Sequence, residues 1–200
     1  MHLHACRRMA LRLAAAAIAT SLAMPAIAAD GPAAQFIDKV AREVIDLIKV
    51  TTGTAREDGI RAILERSFDL PYMGRSALGT HWEGTSAPLR ERFLKAAIGA
   101  EARAYSERFG QYGGQTLTVG KVVAKPNGIS TVDSKLSQSS GAPIVILWDV
   151  RDVGQGPRIA DVKIEGVSMV MTRRSDFNSY IQRGGGVEPL IVELENRAKR

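Results

Sequence analysis

Up to Gly113-Gly114 the apolar residues of this 200-residue chain recur at helical spacing; beyond that pair they alternate. The switch of period restricts the fold to a block of helices followed by a sheet, an α+β arrangement. Four alternating runs follow it: QTLTVGKVVAK, ISTVDSKL, PIVILWDVRD and RIADVKIEGVSMVMT. Pro126-Asn127-Gly128, Ser139-Ser140-Gly141 and Gly154-Gln155-Gly156 separate them as turns, which predicts a four-stranded antiparallel, curved sheet. In the third run Ile144, Ile146, Trp148 and Val150 share one face. Val145 and Leu147 keep the other face apolar before Asp149 and Arg151, so this strand is expected to be buried on both sides for half its length.

Among the helices, residues 33–50 place Phe36, Ile37, Val40, Val44, Leu47 and Ile48 on one stripe, and a second helix over about 55–67 turns Ile60, Ile63 and Leu64 inward. Asp69 as N-cap, Pro71 in the first turn and Gly79 as C-cap frame a short third helix. The longest starts at Ser86-Ala87-Pro88 and runs to about Phe109. Its apolar surface is broad and partly lined by alanine, as in a closely packed core helix or in one wall of an internal cavity. After the sheet, Ser175 is expected to cap a helix carrying Phe177, Tyr180 and Ile181 that stops at Gly184-Gly185-Gly186, and a last helix starts near Pro189.

Residues 1–28 read as a signal peptide: Arg7, Arg8 and Arg12 precede an apolar stretch ending in Ala26-Ile27-Ala28. Leu13 to Met24 is well short of the ~20 residues of a spanning helix. Residues 29–200 then form one exported, soluble domain, with the Sec and twin-arginine routes both open. Cys6, the only cysteine, leaves with the leader, so an ordinary apolar core must hold the domain together. Removing three of 27 basic residues leaves 24 against 21 acids, a net charge of +3, too mild for a nucleic-acid partner.

Reaction chemistry is sparse. Gly166-Val167-Ser168 is the front half of a GxSxG nucleophile elbow, but the second glycine is replaced by Val170 and the run continues to alternate. Ser168 is therefore expected in a strand, as a small residue beside Gly166. A catalytic triad or a metal centre would need more than His81, the one histidine outside the leader, so neither a catalytic serine nor a metal or cofactor is expected. Asp161, Lys163 and Glu165 alternate along one strand face, as a solvated face would. The rival reading is a small exported enzyme in which Asp161 or Glu165 is a general base in a sheet cavity.

FDLPYMGRSALGTHWEG, LRERFLKA, AYSERFGQY, DVKIEGVSM and RSDFNSYIQRGG together resemble the MlaC, or toluene-tolerance, family of periplasmic lipid-shuttle proteins over nearly the whole mature chain. The resemblance implies an NTF2-like cone with extra helices and a pocket for phospholipid acyl chains; the residues themselves do not identify the cargo and leave another lipid, such as a hopanoid, open. It further implies a non-enzymatic carrier, working in the periplasm between an outer-membrane lipoprotein complex and the receptor subunit of an inner-membrane ABC transporter. The matching segments line the pocket with Leu78, Trp82, Phe93, Ile98, Tyr105, Ile146, Trp148, Val167, Met169 and Met171, with Arg75 and Arg174 toward headgroup or partner. Two positions depart from the family pattern: Pro157 and Arg173 stand where aromatics are usual.

Overall fold

The computed structural model describes residues 31–199; the leader assigned to residues 1–28 lies outside them. Six helices and five strands follow in the order α1 (Pro32–Val50), α2 (Gly53–Ser67), α3 (Leu70–Leu78), a 3₁₀ turn (Gly79–His81), α4 (Ala87–Phe109), β1 (Leu117–Ala124), β2 (Ile129–Leu136), β3 (Ile144–Asp152), β4 (Pro157–Ile164), β5 (Val167–Ser168), α5 (Met169–Gly184) and α6 (Val187–Arg197). Every strand pairs antiparallel with its chain neighbour, giving an open meander ordered β1-β2-β3-β4-β5. The α+β class stands, but the sheet has five strands where four were expected, and the expected NTF2-like cone is met only in outline.

The fifth strand exists because the last alternating run is broken after Ile164. Glu165 and Gly166 both adopt positive φ, 49° and 81°, closing a two-residue hairpin in which Ile164 faces Val167. A glutamate is unusual in that conformation, and two contacts to β3 hold it there: its amide donates to the Val145 carbonyl at 2.9 Å, and its Oε1 accepts the Val145 N–H at 2.5 Å. Ser168 then ends β5 and caps α5, its Oγ accepting the Met171 N–H at 3.1 Å. This corrects the expectation that Ser175 starts the helix. Met169 and Met171 are consequently helical, although they continue the alternation of the strand.

Two apolar cores result. α1 lies across the sheet, where Ala34, Ile37 and Val40 meet Val122, Val132, Val150 and Ile159. The second core is helical: Ala77 and Leu78 of α3, Phe93, Ala96 and Ala100 of α4, Phe177 and Ile181 of α5, and Leu190, Ile191 and Leu194 of α6. The α2–α3 junction joins them, since Phe68 bridges Ile159 and the Asp69 amide donates to the Ile159 carbonyl at 2.8 Å. Asp69 also caps α3 by accepting the Tyr72 N–H at 3.2 Å, as its sequence predicts. β3 departs from expectation: Ile144 to Trp148 are half-buried, and full burial begins only at Asp149 and Val150.

Candidate lipid-binding site

The apolar half of β3 carries alternate residues on two different environments. Ile146 and Trp148 share the face that α1 covers farther along, and Trp148 packs at the margin of that core. Its indole Nε1 donates to Ser134 Oγ at 2.8 Å, and Ser134 in turn donates to the Ile146 carbonyl at 3.0 Å. These bonds anchor the indole and satisfy a buried hydroxyl. Beside them on β4, Val162 and Ile164 are also half-buried. A continuous apolar strip thus remains partly open where the helical layer ends, because α4 packs chiefly on α6 and α2 instead of on the sheet.

On the other face of β3 a charge cluster takes over. Asp149 is buried and accepts from Thr131 Oγ1 at 2.6 Å, Lys163 Nζ at 2.5 Å and Lys125 Nζ at 3.1 Å. Burial pushes its carboxyl up, but these three donors outweigh it and hold the group below its ordinary value. Asp161 and Glu165, the two candidate bases, both serve the backbone: Asp161 Oδ1 accepts the Val170 N–H at 3.2 Å at the start of α5, and Glu165 holds Val145. Ser168, as a helix cap, has its hydroxyl committed in the same way.

The helices contribute a cleft of about 350 Å³ between the end of α3, the 3₁₀ turn and α5, lined by Leu78, Thr80, Met171, Arg174, Ser175 and Asn178. A second concavity of about 340 Å³ lies between α5 and α6, among Phe177, Tyr180, Arg183 and Leu190. Both fall at the small end of ligand-site volumes.

The residues singled out in the sequence divide among these places. Leu78, Met171 and Arg174 meet in the cleft between α3 and α5. Phe93 is 1% exposed and packs edge-on to Phe177, with ring centroids 5.7 Å apart, while Trp82 borders the same core under the Arg90 guanidinium. On α4, Ile98 and Tyr105 are half-buried, and Tyr105 stacks on Phe109 at 5.9 Å. Burial, and then the neighbouring Glu101, push the Tyr105 phenol up. Val167 and Met171 are largely exposed and Met169 is half-buried at the head of α5. Arg75 pairs with Glu83 at 2.7 Å on the surface and is not among the residues that line the Arg174 cleft. Arg173, at an aromatic position of the family, pairs with Glu101 of α4.

Thr80, Ser175 and Asn178 were missed. Met171, Arg174, Ser175 and Asn178 follow one another at helical spacing, a signal that surfaces only once α5 is started at Ser168.

An open antiparallel meander with a helical layer on it defines a small α+β domain, and no helix among the described residues is long and apolar enough to cross a membrane. The family model described as MlaC protein matches residues 38–196, and the chain belongs to the MlaC family. Among solved structures, it is similar to a phospholipid-binding protein from Ralstonia solanacearum in complex with a phospholipid, with a TM-score of 0.69 and 18% identity over 84% of this chain and 95% of that one. At that identity the likeness establishes the fold. No curated protein matches by sequence.

Proposed function

We propose that this chain is a periplasmic phospholipid carrier that takes acyl chains against the open end of its sheet. In this reading it passes lipid between an outer-membrane lipoprotein complex and the receptor subunit of an inner-membrane ABC transporter. The observation that carries the reading is the apolar strip on one face of the sheet: Ile144, Ile146 and Trp148 of the central strand, only half-buried, beside the equally half-buried Val162 and Ile164. Apolar surface of that extent at the heart of a sheet is costly in water and is what an apolar guest would cover. The demand on the carrier is severe, since removing an acyl chain from a bilayer forfeits ~0.8 kcal/mol per methylene. Family membership, the lipid-bound relative of the same fold and the signal-like leader all support it.

Native mass spectrometry of the processed protein, with solvent extraction of the same sample, tests this reading. Co-purifying phospholipid is the expected result. A protein that emerges empty, and stays empty after incubation with phospholipid vesicles, would overturn the carrier.

A further inference from the structure

The arginines among the described residues are almost all matched. Among the described residues only Arg108 and Arg174 have neither a carboxylate nor a carbonyl partner. Arg108 stands exposed on the last turn of α4, whereas Arg174 lies in the cleft of about 350 Å³. Its guanidinium rests on the backbone of Gly79: a Cβ placed there would stand 2.7 Å from Nε and 3.0 Å from Cζ. Gly79 has φ 57° and ψ −126°, a conformation that also favours glycine, so the turn after α3 presents bare backbone to the arginine.

The rest of the lining has the same polarity. Thr80 and Ser175 bring hydroxyls, and Asn178 brings an amide whose Oδ1 lies 3.0 Å from His81 Nε2; with the imidazole proton on that nitrogen, the amide NH₂ is the group left to donate. No carboxylate is present in the lining, and the apolar members are Leu78 and Met171. A set of donors around an unpaired guanidinium, beside two apolar side chains, matches a phosphate ester joined to something greasy.

We propose that the Arg174 cleft binds a phosphate-ester oxyanion, the phosphodiester of the bound glycerophospholipid, and so discriminates phosphate-bearing lipids from neutral ones. As to source, this rests on the carrier reading; a free glycerol phosphate shares the chemistry. Arg174 would supply the fork, Thr80, Ser175 and Asn178 the remaining donors, and Leu78 and Met171 the contact to the first carbons of the lipid.

The test uses delipidated mature protein and two fluorescent lipids with identical acyl chains, a phosphatidylglycerol and the diacylglycerol that lacks its phosphate. Wild type is expected to take the phosphatidylglycerol about tenfold more tightly, the scale of one charge-assisted hydrogen-bond set. Arg174→Gln should abolish that preference while binding the diacylglycerol as wild type does, and Arg174→Lys should restore part of it. Because Arg174 is exposed and unpaired, both variants should fold, which circular dichroism checks. Calorimetric titration with sn-glycerol 3-phosphate separates the sources: binding that Arg174→Gln removes assigns the cleft to phosphate with or without chains, and no binding beside phosphate-dependent lipid affinity assigns it to lipid alone. Equal wild-type affinity for the two lipids, or a preference that survives Arg174→Gln, overturns the phosphate site and leaves the carrier standing. If neither lipid binds, the carrier reading fails, and identical glycerol phosphate titrations of wild type and Arg174→Gln then overturn the cleft as well.

Discussion

Arg173 of α5 grips Glu101 of α4 through both Nε and Nη2, the latter at 3.1 Å, across 72 residues of sequence. Asp176 adds a weaker contact at 3.4 Å. The pair ties the first turn of α5, which carries Met171 and borders the Arg174 cleft, to the helix that bears Tyr105. Both side chains keep roughly a third of their surface in water, so screening limits what the pair contributes. Glu101→Gln should lower stability by about 1 kcal/mol, and a double-mutant cycle with Arg173→Met in urea should show coupling of about 0.5–1 kcal/mol. Additive effects would mean that α5 is held by its other contacts alone.

Ser168→Ala removes the cap of α5 and nothing else that the structure assigns to that hydroxyl. A loss of about 1 kcal/mol is expected in chemical denaturation, with Ser168→Asp retaining most of the stability. Lipid content should be unchanged. A folded Ser168→Ala protein that no longer acquires lipid would give the hydroxyl a functional part.

Asp149 makes stability acid-sensitive. Its carboxyl is depressed in the folded state, so its contribution is complete above the unfolded value of about 3.9 and disappears as pH falls through the folded one. The melting temperature of wild type should drop more steeply below about pH 4 than that of Asp149→Asn, which should itself be less stable at pH 7. Parallel profiles for the two proteins would show that other carboxyls carry the acid response.

Ile146 and Val132 lie on the same face of neighbouring strands, but Val132 is 0% exposed whereas Ile146 is only half-buried. Val132→Glu buries an unpaired charge and should cost several kcal/mol, a large share of a typical stability of ~5–15 kcal/mol. Ile146→Glu should fold, with its carboxylate reaching water, and lose lipid severalfold. Circular dichroism and lipid extraction read the two effects separately. An Ile146→Glu protein that unfolds as Val132→Glu does would make this strip ordinary core.

Phe93 differs from Ile146 in the same sense. At 1% exposure and edge-on to Phe177, it belongs to the helical core. Phe93→Ala should cost about 3–5 kcal/mol, measured by denaturant titration. A cost below about 1 kcal/mol, together with lost lipid, would move it to the binding surface.

The sequence alone determined the elements whose signals are local. Helices α1, α2 and α4 follow from period 3.6, and α3 from Asp69, Pro71 and Gly79 at its ends, because a cap or a φ preference acts within a few residues. Strands β1 to β4 follow from alternation between turn residues, and the family from short segments in order. What failed was the stretch from Val167 to Met171, where Val167, Met169 and Met171 continue a strand period into what is the first turn of a helix. The decision there is tertiary: Val145 holds Glu165 at positive φ, Asp161 accepts the Val170 amide, and Glu101 takes Arg173. None of these partners is a near neighbour in sequence. The same holds for the site, since periodicity assigns a side chain to a face but not what lies on that face. Phe93 and Ile146 are both apolar residues on inward faces, and only the packing of α4 on α6 and α2, away from the sheet, seals one and leaves the other open.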